Sequence, residues 1–214
     1  MILKPFNKGL RKRLNAAVNL CVVLITLLVE DNLMQARNDI ESSFYDFKVK
    51  DIRGETFDLS ELRGTVSLVT NVASQCGYTD SHYKAYETLQ QSLGSDGKFQ
   101  IIAFPCNQFG AQEPGTNADI AQWVTSNYNV DYLLMAKIDV TGANAEPAFT
   151  YLIEDSGKVP TWNFWKYLVG PDGKVIDAWG PQRSVQSIFH IVSKAVEQAG
   201  ATVQSTIGNN SRDL

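Results

Sequence analysis

The sequence predicts an α/β domain, a mixed sheet covered by helices, and three observations carry that expectation. Two near-continuous apolar runs, 66–72 (VSLVTNV) and 99–105 (FQIIAFP), have the composition of strands buried on both faces, as parallel strands are. Between them Tyr83, Tyr86, Leu89 and Leu93 recur at helical spacing. Near the end Val185, Ile188, Phe189, Val192 and Val196 draw the cleanest amphipathic stripe of the chain, a helix laid on the sheet. With 214 residues, 44% hydrophobic and 20% charged, one globular domain plus a tail segment is the natural organisation.

Residues 1–13 hold Lys4, Lys8, Arg11, Lys12 and Arg13 and no acid. The net charge is −4, so without these five cations the remainder carries −9, and an acidic body with no basic stripe argues against a nucleic-acid partner. Residues 14–29 (LNAAVNLCVVLITLLV) are apolar, and as a helix they extend about 24 Å, short of the roughly 30 Å hydrocarbon core. The stretch is read as a signal-anchor transmembrane helix, extended by snorkelling Arg11 and Arg13. A cleaved signal peptide is the alternative, although its best small-residue site, Met34-Gln35-Ala36, is poor. Either way the basic flank keeps residues 1–13 cytoplasmic and sends the domain across the membrane. Residues 30–42 are polar and read as a linker.

The domain is expected over 43–199. Phe44 to Lys50 alternates as a half-buried strand, Asp51 to Gly54 turns, and Thr56 to Leu59 returns, an N-terminal hairpin. The central strand ends at Ser74-Gln75-Cys76-Gly77, and a helix begins near Asp80. After the second apolar strand and a loop, Thr116-Asn117-Ala118-Asp119 is a capping box for a helix through Trp123 and Val124. Tyr132 to Val140 is the next strand expected. Pro147 suits the first helical position of a segment that ends at Gly157. Trp162 to Val169 and Lys174 to Trp179 flank Pro171-Asp172-Gly173 as a hairpin. Residues 200–214 are polar and read as a flexible tail. The order β-β, then β-α-β-α-β-α-β-β-α, fits a thioredoxin-like fold most economically.

Cys76 therefore falls between a central strand and a helix N-terminus. Unpaired N–H groups and the helix dipole favour a thiolate there. The three cysteines, Cys21, Cys76 and Cys106, form no CxxC pair, and zinc-site spacing is absent. Thr79 stands where the second thiol of a CxxC motif belongs, which disfavours a thioredoxin or disulfide isomerase. Taken alone, a cysteine at a strand end is more often a small buried hydrophobe than a nucleophile. Gln112 alone reads as a solvated loop residue and Trp162 as a core aromatic. His82 and His190 receive no role.

Three motifs change that balance: NVASQCGYTD (71–80), AFPCNQFGAQEPG (103–115) and WNFWKYLV (162–169). In this order they resemble the glutathione peroxidase family, over roughly 43–199, and most of all its endoplasmic-reticulum, cysteine-type, membrane-anchored members. The resemblance implies a peroxidatic Cys76 served by Gln112 (not Gln108), Trp162 and Asn163. It implies no metal or organic cofactor. The chemistry suits the transfer, because an indole N–H and amide NH₂ groups are donors that can hold a thiolate and a leaving hydroxide. Attack on the O–O bond then gives a sulfenic acid.

Cys106, after the second strand, is the second thiol. It is either a resolving cysteine that traps the sulfenic acid or a buried motif cysteine without redox role. The helix after QEPG, where many relatives keep their resolving cysteine, has none here. The short Gly157-Lys158-Val159-Pro160 segment, without the inserted loop of glutathione-using relatives, leaves an open site suited to a protein thiol. The expected partners are thus a hydroperoxide, a thiol reductant (a disulfide isomerase-like protein or glutathione) and, through 14–29, a membrane. A monomer in the endoplasmic-reticulum membrane, its catalytic domain lumenal, is the expected form. After signal cleavage the alternatives are the lumen or secretion. The terminal Ser211-Arg212-Asp213-Leu214 resembles a retrieval signal but departs at its first two positions. A second class of function stays open, a membrane-anchored redox sensor or interaction module with little turnover.

Overall fold

The computed structural model describes residues 25–27, 29 and 43–210, with side chains to residue 200. The chain falls into two units, 1–42 and 43–214. In the first, residues 25–27 and 29 are helical. The rest of the expected 14–29 span, the basic segment 1–13 and the 30–42 linker lie outside the described residues. Among those described, no helix is long and apolar enough to cross a membrane.

The second unit has the thioredoxin-like fold expected. A five-stranded mixed sheet has the order β5-β4-β3-β6-β7, built from β3 (Val66–Val72), β4 (Phe99–Pro105), β5 (Leu133–Leu134), β6 (Lys166–Val169) and β7 (Val175–Trp179). A separate antiparallel hairpin, β1 (Lys48–Lys50) and β2 (Thr56–Asp58), precedes it. β3 is parallel to β4 and antiparallel to β6. All seven residues of β3 are buried, because it is central in the sheet and covered on both faces. Alternation then divides the core. Leu68, Val72 and Ile101 pack with α1 (Thr79–Leu93), α4 (Val185–Asn210) and Ile120 and Val124 of α2 (Asn117–Asn127). Val69, Ile102 and Phe104 pack with α3 (Pro147–Ser156) through Phe149 and Leu152.

Helix ends follow the sequence signals. Thr116 and Asp119 form the expected capping box of α2, Pro147 begins α3, and Gly157 closes it in the left-handed conformation at φ +65°. Four elements differ from expectation. Phe44 to Asp46 is a 3₁₀ turn instead of strand, because Ser43 and Asp46 cap each other across it. Tyr132 to Val140 narrows to a two-residue strand. The backbone there is shared, Met135 and Ile138 donating to β4 while Ala136 donates to Lys50 of the hairpin. The strand expected from Trp162 begins only at Lys166. Finally, α4 continues as helix through the 200s to Asn210.

Candidate active site

The turn that carries Cys76 is braced from within. The Cys76 N–H donates to Thr79 Oγ1 at 3.1 Å, the Thr79 hydroxyl donates to the Ala73 carbonyl at 2.7 Å, and the Thr79 N–H donates to the Cys76 carbonyl at 3.0 Å. The residue at the place of a second CxxC thiol is thus a structural brace. Cys76 keeps 8% of its surface, just ahead of the first turn of α1.

The QEPG loop is pinned against this turn. Gln75 N–H donates to the Gln112 carbonyl at 3.0 Å, and Ser74 Oγ donates to the buried Glu113 carboxyl at 2.7 Å. Burial pushes the Glu113 carboxyl above its ordinary value, only partly offset by the Ser74 hydrogen bonds and Lys137. Gly110 and Ala111 both sit at positive φ, +67° and +52°. A Cβ on Gly110 would lie 3.3 Å from the Trp162 ring and 3.4 Å from the Gln112 side chain, so glycine lets both approach the loop. Gln108 serves elsewhere, its amide oxygen accepting the N–H groups of Val140 and Thr141.

Trp162 and Asn163 precede β6 in a tight turn. Asn163 is fully buried and spends both Nδ2 hydrogens, on Gln112 Oε1 at 3.0 Å and on the Phe109 carbonyl at 3.2 Å. That leaves the Gln112 amide nitrogen as the free donor of the pair. Asn163 Oδ1 is buried without a partner among the described residues. Trp162 is 37% exposed and packs near Phe109, their ring centres 6.3 Å apart. The structure thus brings Gln112 and Asn163 into direct contact, joins the Gln112 loop to the Cys76 turn, and sets Trp162 at their rim. Since 162–165 is turn and not strand, the two-residue alternation that would split Trp162 from Asn163 does not apply.

Cys106 lies on the other side. It is fully buried in the α3-facing core, whereas Cys76 belongs to the core facing α1 and α4. Both thiols are free. Burial pushes the Cys106 thiol up, against the thiolate that exchange requires.

Sequence reasoning missed the residues that shape the turn. Asn71, inside β3 and fully buried, donates from Nδ2 to the Trp162 carbonyl at 3.1 Å and accepts the Trp165 N–H on Oδ1 at 3.0 Å. Its own carbonyl accepts the Phe164 N–H at 2.7 Å. The turn so held puts Phe164 at φ +66°, a strained value for an aromatic residue. The available signal was an asparagine amid an apolar strand. Lys166, also fully buried, has its ammonium pushed down to about 7 by burial. Beside it His82 is pushed down to about 4, first by burial and then by Lys166. Among the described residues no group of three His, Cys, Asp or Glu side chains could hold a metal ion. A cavity of about 380 Å³ between the β1–β2 turn and α2 is lined by Ile52, Phe57, Val124 and Tyr132 and by none of the candidate residues.

Comparison with known proteins gives a consistent answer. A family model described as "Glutathione peroxidase" matches residues 44–153. "Glutathione peroxidase 7" of Bos taurus is 57% identical over 148 residues, 69% of this chain and 79% of that protein. "Probable glutathione peroxidase 8" of Mus musculus is 41% identical over 179 residues, 84% of this chain and 83% of that protein. Among solved structures, T. cruzi GPX1 superposes with a TM-score of 0.60 at 31% identity, covering 73% of this chain and 97% of that one.

Two measurements check this geometry. Asn71→Leu leaves the Trp162 carbonyl and the Trp165 N–H without their partner and should cost about 1–3 kcal/mol. Urea unfolding reads the loss, and a change below about 0.5 kcal/mol would contradict the clasp. The second concerns pH. Lys166 binds its proton more weakly folded (about 7) than unfolded (10.5), so the unfolded chain holds the extra proton between these values. Its contribution to stability rises with pH across that window, by at most ~1.4 kcal/mol per unit. Wild type minus Lys166→Met should therefore gain stability from pH 7 to 9.5, and a flat difference refutes the weakened proton binding of buried Lys166.

Proposed function

From the premise that the chain belongs to the glutathione peroxidase family, whose members are thiol-dependent peroxidases, we propose that Cys76 reduces hydrogen peroxide or organic hydroperoxides through a sulfenic acid. The observation that carries the reading is the convergence of three separated segments. The Gln112 loop is hydrogen-bonded to the Cys76 turn through Gln75, and the Gln112 side chain to Asn163.

In this reading the Cys76 thiolate attacks one oxygen of the peroxide. An S–O bond forms, the O–O bond breaks, and the departing alkoxide or hydroxide takes up a proton to leave as alcohol or water. Cys76 is left as the sulfenic acid, oxidised by two electrons. The Gln112 amide and the Trp162 indole donate to the thiolate and the departing oxygen. Asn163 acts mainly through Gln112, because both its N–H groups are already spent. All these residues come from one chain, so the reading requires no oligomer.

A partner thiol then attacks the sulfenic sulfur, releasing water and forming a mixed disulfide. A second partner thiol breaks it, leaving an oxidised partner and a reduced Cys76. Direct attack on Cys76 is favoured over resolution by Cys106, since Cys106 is wholly buried on the opposite side of the sheet. A protein dithiol such as a disulfide isomerase-like partner is favoured over glutathione. The basic residue of the short loop, Lys158, is engaged by Asp177 at 2.6 Å and the Ala178 carbonyl at 2.8 Å, and is not offered to a small anionic thiol. An anchored protein with its domain in the endoplasmic-reticulum lumen completes the proposal, supported by the apolar 14–29 stretch and its basic flank.

Stopped-flow peroxide decay tests the assignment. Cys76→Ser should abolish consumption. Cys106→Ser should keep both the first oxidation and turnover with a dithiol protein within about threefold of wild type. Undiminished decay in Cys76→Ser refutes the peroxidatic role, and lost turnover in Cys106→Ser assigns resolution to that thiol.

A further inference from the structure

The strained turn that carries Trp162 and Asn163 has a second fastening besides Asn71. Lys166 Nζ donates to the Phe164 carbonyl at 2.8 Å and to the Gly180 carbonyl at 3.1 Å. Its remaining neighbour is His82 Nε2, at 3.4 Å. The tautomer of His82 follows from its other nitrogen. Nδ1 lies 3.0 Å from the Tyr78 carbonyl, which can only accept, so Nδ1 carries the proton and Nε2 is a free acceptor. A continuous path results, buried from His82 onward: Tyr78 carbonyl, His82 imidazole, Lys166 amine, Phe164 carbonyl. Its first member stands two residues beyond Cys76, at the head of α1, and its last immediately follows Asn163. The rings reinforce it, His82 lying 4.9 Å from Phe164 and 5.6 Å from Tyr78 between centroids.

An amine in this place is otherwise hard to explain. Lys166 is wholly buried and its hydrogen-bond partners are two carbonyls and an imidazole, with no carboxylate among them. An apolar residue in the sheet would avoid the desolvation cost. What the amine supplies, and an alkyl chain cannot, is a donor for the Phe164 carbonyl, which the left-handed turn directs into the core.

We propose that Lys166, with His82 as its acceptor, is a positioning residue that ties the Trp162–Asn163 turn to the Cys76 end of α1 and so keeps the donors registered on the sulfur. The proposal rests on the peroxidatic reading of Cys76. Neither residue touches substrate; both act through the turn.

Two variants of the full-length chain test it, Lys166→Met, which removes the donors, and His82→Phe, which keeps the ring packing and removes the acceptor. The primary readout is the pH dependence of Cys76 alkylation by iodoacetamide, measured in a Cys21→Ser/Cys106→Ser background, with the second-order rate of oxidation by hydrogen peroxide alongside. A positioning role predicts that the alkylation midpoint rises by about half a unit or more in both variants. Peroxide oxidation should slow about tenfold or more in Lys166→Met and less in His82→Phe, with cooperative melting retained. Unchanged midpoints and rates in folded variants overturn the proposal. A shift in Lys166→Met with His82→Phe unaffected also overturns it, since that pattern reports only the loss of a buried charge. Should Lys166→Met fail to fold, His82→Phe alone decides on the same criteria. If wild type consumes no peroxide, the peroxidatic reading fails, while the alkylation midpoints still report on the tie.

Discussion

The side chain of Asn71 is the constraint on which the site depends. A central strand has no free edge, and its backbone is committed to β4 and β6. One amide inside it reaches across and clasps the 162–169 segment by the Trp162 carbonyl and the Trp165 N–H. That clasp converts what would be the first half of β6 into a turn. The turn in turn aims Asn163 at the Gln112 loop, and the Gln112 loop closes on the Cys76 turn. Each link is a hydrogen bond between segments far apart in sequence, so the arrangement exists only in the folded domain.

The same region carries costs that a purely structural sheet would avoid. Phe164 is held at positive φ, Asn163 buries an oxygen without a partner, and Lys166 buries an amine without a counter-ion. Each costs on the order of 1 kcal/mol or more. They cluster within residues 163–166, in and just after the turn that carries Asn163. Strain gathered at one place and sustained by the surrounding packing is what a preorganised donor array requires. Cys106, by contrast, lies in the buried apolar cluster around α3.

Much of this was legible in the sequence. The β-branched runs of β3 and β4, the capping box at Thr116, Pro147 at a helix start and Gly157 at its end all announce themselves through local chemistry. The motifs identified Cys76, Gln112, Trp162 and Asn163 as candidates, and the fold brings their segments together. The 162–169 stretch misled because its aromatic and apolar residues fit strand composition. A left-handed phenylalanine has no local signature, and its hydrogen bonds run to the distant Asn71 and to a buried Lys166 two residues on. From sequence Asn71 is one residue of a strand, because a buried amide declares its purpose only through its partners, some ninety residues away. The 132–140 segment failed for a related reason, its backbone being divided between β4 and the hairpin instead of forming one ladder.

What emerges is a thiol just past the end of a central strand, a neighbouring turn held from that strand by Asn71, and a second thiol buried in the other core cluster. The most direct test is chemical. The full-length chain is treated with one equivalent of hydrogen peroxide in the presence of a dimedone-type trap, and the modified residue is located by peptide mass spectrometry. The account predicts a sulfenic acid adduct on Cys76 and none on Cys106. An adduct on Cys106, or peroxide consumed with Cys76 unmodified, would contradict it.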